Sequence, residues 1–130
     1  MTTIAITGGI GAGKSVVSRV LRALGYPVYD SDTAARHLVD TDTDIHACLC
    51  RDIHPAAGRV DRPLISSVVF ADDDALRRLN SIVHPRLVGD FVTWARRHSA
   101  ATHIFIETAI LDTCLPLHPH IDAIWQVEAP

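Results

Sequence analysis

Glycine, lysine and serine residues near the start of the chain form a pattern suited to binding phosphate groups. Residues 8–15 read Gly-Gly-Ile-Gly-Ala-Gly-Lys-Ser, that is, a glycine, any four residues and then Gly-Lys-Ser. Four glycines in six positions let the backbone turn tightly and point successive N–H groups at phosphate oxygens. Lys14 can then reach the outer phosphates, and the Ser15 hydroxyl can bind Mg²⁺. The pattern predicts a P-loop that binds a nucleoside triphosphate.

The segments on either side of this loop agree with that prediction. Residues 3–7 are an apolar run typical of a short strand, and residues 16–24 have the composition of a helix. A helix beginning there would add unsatisfied N–H groups and the positive end of its dipole. Gly25 is well placed to end it. The alternative is a glycine-rich turn before an ordinary helix, but the strand–loop–helix context favours nucleotide binding.

Two aspartates follow the second predicted strand, residues 27–29. A strand, a helix and another strand within about thirty residues predict a parallel pair whose strands end at one sheet edge. Asp32 could there act as a general base toward a substrate hydroxyl, and Asp30 could hold water around Mg²⁺. Capping of the next helix, by Asp30 or by Ser31, is an equal alternative. The spacing alone leaves both roles open.

A third acid, Glu107, ends the apolar run of residues 103–107. This arrangement is typical of a Walker B strand, in which the acid orients Mg²⁺ or its waters. The alternative is an edge carboxylate, or a cap for the segment 109–115. Residues 121–127 predict a further strand, and a sheet that ended there would lack a covering helix on its last face.

Residues 32–100 are predicted to form a mostly helical insertion between two strands. Helical patterns occur over residues 64–70, 74–83 and 85–97, and Pro85 suits the first turn of a new helix. An insertion of this length over the strand ends usually builds a substrate site or a lid. We therefore expect this region to bind the acceptor substrate.

Length and composition indicate one globular domain. The chain has 130 residues, of which 48% are apolar and 21% charged, so a single core can form. We predict an α/β fold of the P-loop NTPase type over residues 1–130, with a parallel sheet flanked by helices. Its core would comprise residues 1–31 and 101–130.

Charge and cysteine content narrow the choice of partners and compartment. The net charge of −3 gives no general attraction to nucleic acid or to anionic membranes. Cys48, Cys50 and Cys114 match neither a disulfide framework nor a zinc site, which favours a reducing cytoplasm. No segment approaches membrane-spanning length, and the first residues do not have the pattern of a signal peptide. The oligomeric state stays open.

Several motifs, taken in order, resemble those of the dephospho-CoA kinase family. The resemblance includes residues 7–15, 28–36, 58–62 and 79–86, and it covers essentially the whole chain. The P-loop alone is shared by hundreds of families. The Asp-x-Asp, Asp-Arg and His-Pro elements in this order are far more specific.

This resemblance implies phosphorylation of the ribose 3′-hydroxyl of dephospho-CoA to give coenzyme A, with ATP and Mg²⁺. It implies that Asp32 engages the attacking hydroxyl, that Lys14 is also catalytic, and that Arg62 and His84 bind the acceptor. Structural alternatives remain for the last two, since His84 could pack a helix start and Arg62 could pair with Asp61. The implied nucleotide-binding residues are Gly8, Gly9, Ile10, Gly11, Ala12, Gly13, Lys14, Ser15 and Val16. The resemblance implies a Mg²⁺ position at Ser15, through the nucleotide, and the strand pattern described above adds Glu107 as a further candidate metal-binding residue.

The chain departs from the family pattern in two places. Residues 109–113 lack the proline and glutamate of the usual Pro-Leu-Leu-x-Glu run, although residues 107–111 are similar to a Glu-Ser-Ala-Ile-Leu version. Family members also continue beyond the position of Pro130 with an arginine-bearing helix, a lid over ATP, a last strand and a final helix. Arginines of such a lid stabilise the transferring phosphoryl group.

Two alternatives to a kinase therefore stay open. The first is a nucleotide-binding or phosphate-binding module of the same fold, impaired in catalysis because it lacks the lid. The second is a nucleotide-driven switch or motor. It is disfavoured because the chain contains no Asn-Lys-x-Asp guanine motif.

Overall fold

A computed structural model describes residues 1–9, 13–45 and 73–128. By its internal packing the chain divides into two compact units. One comprises Met1–Thr33 with Val88–Pro130, and the other comprises Ala34–Leu87. Among the described helices, none is long and apolar enough to span a membrane.

The first unit is built on a four-stranded parallel sheet. Its strands are β1 (Thr2–Thr7), β2 (Val28–Asp30), β3 (His103–Glu107) and β4 (Ala123–Gln126), arranged in the order β2-β3-β1-β4. Because all four strands are parallel, their carboxyl ends lie at the same edge of the sheet.

The central strands are buried and the edge strand β4 is exposed. Ile4, Ala5 and Ile6 of β1 are at most 6% exposed, as expected for a strand with neighbours on both sides and helices on both faces. In β4, Ile124 and Trp125 are 59% and 45% exposed. The strand that the sequence predicts over residues 121–127 is therefore present as β4, at the exposed edge of the described sheet.

Helices pack on both faces of this sheet. The described helices are α1 (Lys14–Ala23), α2 (Ser31–Thr41), α3 (Asp73–Arg97) and the 3₁₀ helix η1 (Leu115–His120). On one face, Leu21 of α1 packs against a cluster that includes Phe105. On the other face, the Tyr29 ring lies 5.2 Å from Phe91 and 5.3 Å from Trp94 of α3. The predicted α/β fold is confirmed.

The end of α1 follows the pattern that Gly25 indicates. Gly25 has a φ of +92°, which a residue with a Cβ adopts only at a cost. Its N–H donates to the carbonyl of Arg22, and the N–H of Tyr26 donates to the carbonyl of Leu21, each at 3.0 Å. These two bonds form a Schellman motif, which satisfies carbonyls at the helix end and turns the chain toward β2.

The prediction that a new helix begins at Pro85 is wrong. Helix α3 runs continuously from Asp73 to Arg97 and contains Pro85 in its interior. The missing N–H of a proline costs about 3 kcal/mol in such a position. Burial of a leucine or valine side chain contributes about 1.5–3 kcal/mol, and Leu79, Val83 and Leu87 are all buried, so packing outweighs the proline. The predicted helix over residues 64–70 lies outside the described residues.

The second unit has its own small core. Ile45 is fully buried and packs with Leu79 and Val83. The Asp42 carboxylate accepts hydrogen bonds from the backbone N–H groups of Asp44 and Ile45, and Arg86 donates to it at 3.0 Å. These contacts tie the chain after α2 to the first half of α3.

Candidate functional site

The loop after β1 leads into α1 as the sequence predicts. Gly13 precedes the helix with a φ of +95°, and its carbonyl accepts hydrogen bonds from the N–H groups of Val16 and Val17, each at 3.1 Å. Lys14 is half-buried in the first turn, and Ser15 and Val16 are exposed there. Of the predicted nucleotide-binding residues, Ile10, Gly11 and Ala12 lie outside the described residues.

A cavity of about 440 Å³ opens at the carboxyl edge of the sheet. It is lined by Thr7, Gly8 and Gly9 after β1, and by Thr108 and Ala109 after β3. The connection from β1 leads to β2 on one side, whereas the connection from β3 leads to β4 on the other side. Neighbouring strands whose connections diverge in this way form the usual ligand crevice of open α/β sheets. The volume lies within the range of small-molecule sites.

The aspartates after β2 have separate roles in the structure. Oδ1 of Asp30 accepts hydrogen bonds from the backbone N–H groups of Asp32 and Thr33, at 3.1 and 3.2 Å. Its Oδ2 accepts a bond from the Thr33 hydroxyl at 2.9 Å. Asp30 is therefore the N-cap of α2, whereas Asp32 is exposed in the first turn of that helix. Of the two alternatives for Asp30, the structure shows the cap.

Glu107 lies at the same sheet edge, at the end of β3 between the ends of β1 and β2. Its Cα is in register with Asp30 of β2 and with Ile6 of β1. Strand side chains alternate between faces, so Glu107 lies on the same face as Phe105, which is the face covered by α1. Its Oε2 accepts a hydrogen bond of 2.9 Å from the Ser18 hydroxyl of α1. Glu107 thus faces the helix that carries Lys14 and Ser15.

Ser18 and Ser31 are parts of this site that sequence reasoning did not identify as partners of Glu107. The Ser31 hydroxyl donates to the backbone carbonyl of Glu107 at 2.8 Å rather than capping α2. A signal for Ser18 exists in the sequence. Ser18 lies three residues before Leu21, on the buried side of an amphipathic helix, and three residues after Ser15. A polar residue on that apolar side is the signal.

The two residues implied to bind the acceptor are not tested by this geometry. Arg62 lies outside the described residues. His84 is half-buried in α3 and belongs to the second unit. Burial lowers the pKa of His84 below its ordinary value. The acceptor-binding role of both residues stays a prediction.

The carboxyl edge suits a Mg²⁺ ion that arrives with a nucleotide. Among the described residues no group of three or more His, Cys, Asp or Glu side chains could form an all-protein metal site. Mg²⁺ is usually held by one or two carboxylates together with substrate phosphates and waters. Glu107 and the Ser15 hydroxyl fit that requirement, since the Glu107 carboxylate lies beside the helix that begins with Lys14 and Ser15.

Comparison with known proteins decides the family. The family model described as dephospho-CoA kinase matches residues 2–130. The chain belongs to the dephospho-CoA kinase family. The sequence-based resemblance is therefore confirmed.

Two curated relatives show how much of the family's length is present. A dephospho-CoA kinase of Porphyromonas gingivalis is 39% identical over 134 residues, covering 100% of this chain and 65% of the relative. One from Bacteroides fragilis is 36% identical over 130 residues, covering 98% of this chain and 63% of the relative. The chain thus spans less than two thirds of the length of these dephospho-CoA kinases.

Solved structures show the same fold. A crystal structure of a Thermus thermophilus protein matches with a TM-score of 0.82 and 29% identity, covering 99% of this chain and 66% of that one. A dephospho-CoA kinase from Campylobacter jejuni matches with a TM-score of 0.74 over 94% of this chain and 64% of that one. At 16% identity, the second match supports the fold alone.

Proposed function

We propose that the protein transfers the γ-phosphoryl group of ATP to the ribose 3′-hydroxyl of dephospho-CoA, giving coenzyme A and ADP. The observation that carries the proposal is the meeting of three features at one sheet edge. These are the glycine loop after β1, the α2 turn with Asp32 after β2, and Glu107 at the end of β3. Membership of the dephospho-CoA kinase family supplies the substrate.

Each proposed residue has a role that its position can support. The backbone N–H groups around Gly8 to Gly13 and the start of α1 bind the phosphates, and Lys14 neutralises charge on the outer ones. The 3′-oxygen of the acceptor forms a bond to the γ-phosphorus as the bond to the β,γ-bridging oxygen breaks. Asp32, exposed at the start of α2, orients the acceptor hydroxyl and accepts its proton.

Ser15 and Glu107 would hold Mg²⁺ through the nucleotide and its waters. Bound there, the ion neutralises charge that develops on the phosphate oxygens. In the protein itself, the Glu107 carboxylate accepts a hydrogen bond of 2.9 Å from the Ser18 hydroxyl of α1. This assignment completes the donor side of the proposed site.

The acceptor side is assigned to residues 32–100. We propose that this region binds dephospho-CoA, with Arg62 and His84 as contacts. We also propose that the reaction takes place in the reducing cytoplasm. A free thiol is compatible with such a compartment, and the described cysteine, Cys114, is free and buried. Burial raises the pKa of the Cys114 thiol and so favours its unreactive protonated form.

The test is to incubate the protein with dephospho-CoA, ATP and MgCl₂ and to measure coenzyme A and ADP by liquid chromatography with mass spectrometry. We expect both products in equal amounts. Omission of dephospho-CoA should stop ADP formation. Nucleotide binding without coenzyme A formation would support the binding-module alternative, and rapid ADP formation without an acceptor would support the switch.

A further inference from the structure

Two buried serine hydroxyls hold Glu107 from two different helices. Ser18 is fully buried in α1 and donates to Oε2 of the carboxylate at 2.9 Å. Ser31 is 1% exposed in the first turn of α2 and donates to the backbone carbonyl of the same residue at 2.8 Å. The side chain and the main chain of Glu107 are therefore fixed independently.

Ser18 stands at a position where a hydroxyl needs a partner. Its neighbours on the buried side of α1 are apolar, since Val17 and Leu21 pack into the core cluster beside it. Burial of a hydroxyl is unfavourable unless it forms a hydrogen bond, and an alanine would pack there at no such cost. A mid-helix serine often bonds back to the carbonyl four residues earlier. The Ser18 hydroxyl instead donates to the carboxylate of a strand 89 residues later.

This bond constrains the orientation of the carboxylate. The terminal torsion of a glutamate is broad, so an unsupported carboxylate at a strand end samples many orientations. With Oε2 held by Ser18, the rotation of the carboxylate is restricted and this oxygen has a fixed position relative to α1. Ser15 lies three residues before Ser18, and residues at that spacing share one side of a helix. The bond between Ser18 and Glu107 thus restricts the position of the Glu107 carboxylate relative to the Ser15 hydroxyl, which is proposed to bind the metal.

We propose that Ser18 is a positioning residue, which orients the Glu107 carboxylate for the Mg²⁺ of the bound nucleotide. The inference rests on the proposed function, since it assumes that Glu107 acts on that ion. Ser18 itself contacts neither the ion nor the substrate. Removal of its hydroxyl should therefore weaken metal binding only while residue 107 is a carboxylate.

The test uses Mn²⁺ as the probe, because its electron paramagnetic resonance signal reports free ion directly. Mn²⁺ is titrated into the protein with saturating ATP, and no acceptor is present, so the readout does not depend on turnover. Loss of a supporting partner of a metal ligand typically reduces metal affinity about 10- to 100-fold. We expect a loss in the lower part of this range for Ser18→Ala and a larger one for Glu107→Gln.

The double variant decides whether Ser18 acts through Glu107. We expect Ser18→Ala to cause no further loss of Mn²⁺ affinity when Glu107→Gln is present. Ser31→Ala is the matched control, because it removes an equally buried hydroxyl that binds only the main chain of Glu107. Its Mn²⁺ affinity should fall less than that of Ser18→Ala, because the Ser31 hydroxyl does not bind the carboxylate. Ser81→Ala, which removes an exposed hydroxyl that donates to the Arg78 carbonyl within α3, should keep the wild-type Mn²⁺ affinity. If Ser18→Ala folds poorly, Ser18→Cys replaces it, since a thiol keeps the volume and is a weak donor.

The outcomes separate this inference from the function on which it rests. Wild-type affinity in Ser18→Ala, or additive losses in the double variant, would overturn the positioning role while Glu107→Gln still weakens binding. Unchanged affinity in Glu107→Gln would overturn the metal role of Glu107 and the positioning role with it. Coenzyme A formation, measured separately, tests the proposed activity in either case.

Discussion

The backbone N–H of Asp32 donates a hydrogen bond of 3.1 Å to the carboxylate of Asp30. This bond gives the two aspartates different tasks. Both oxygens of Asp30 are engaged in capping α2, whereas the Asp32 side chain is exposed in the first turn of the same helix. Asp30 builds the helix start, and the helix start presents Asp32 at the carboxyl edge of the sheet.

We expect Asp32→Asn to bind ATP but to lose phosphoryl transfer. An amide keeps the shape of the side chain but cannot accept the hydroxyl proton, and removal of a general base typically lowers kcat about 10²- to 10⁴-fold. Steady-state kinetics with dephospho-CoA and calorimetry with ATP measure the two properties. The matched variant is Asp30→Asn, because asparagine caps a helix about as well as aspartate. Equal losses in both variants would contradict the assignment of Asp32 as the base.

We expect Lys14→Gln to weaken ATP binding. Lys14 is half-buried in the first turn of α1, and a hydrogen bond to a charged group contributes about 1.5–3 kcal/mol. The expected increase in Kd is therefore roughly 10- to 150-fold, measured by isothermal titration calorimetry. Arg19→Gln removes one positive charge from an exposed position of the same helix and serves as the control. A similar loss in that variant would mean that general charge, rather than the loop lysine, governs affinity.

We expect Gly13→Ala to destabilise the protein. With a φ of +95°, an alanine there is strained by about 1–2 kcal/mol. Among the described residues space is not the cause, since the atom nearest to an added Cβ would be a Val127 methyl at 3.9 Å. Gly89→Ala is the opposite case, because Gly89 is exposed inside α3 and an added Cβ would meet no atom of the described residues within 4 Å. There we expect a gain of about 0.8–1 kcal/mol. Chemical denaturation measures the free energy of unfolding of both variants. Destabilisation by Gly89→Ala as well as by Gly13→Ala would contradict the argument that the positive φ of Gly13 causes the loss.

We expect His84 to make stability depend on pH. Burial lowers the pKa of His84 below 6.5, so the unfolded chain binds a proton there more readily than the folded protein. The contribution of His84 to the free energy of unfolding is therefore complete above about pH 6.5 and is lost as the pH falls through the folded pKa. His84→Gln should lose stability less steeply between pH 7 and pH 5, measured by urea denaturation. If the free energy of unfolding depends on pH identically in the wild type and in His84→Gln, the His84 imidazole does not contribute to that dependence.

Part of the fold could be predicted from local sequence because local chemistry decides it. The strand at residues 103–107 and the helix end at Gly25 both appear as predicted, since an apolar run and a glycine beyond a helix restrict the nearby backbone directly. The predicted break at Pro85 is wrong for the opposite reason. Burial of Leu79, Val83 and Leu87 keeps α3 continuous, and the local pattern around a proline does not contain that energy.

The candidate site also has one part that local sequence predicts and another part that only packing decides. The sequence by itself determined the prediction of a phosphate-binding loop over Gly8–Ser15, because such a loop depends on the types and spacing of consecutive residues. The structure decided between the two local alternatives for Asp30, and only the tertiary fold decided that Ser18 holds Glu107. Ser18 and Glu107 are 89 positions apart and meet because α1 packs on the face of the sheet to which Glu107 belongs. Their contact depends on how a helix and a strand pack together, and the residues around either one do not specify that.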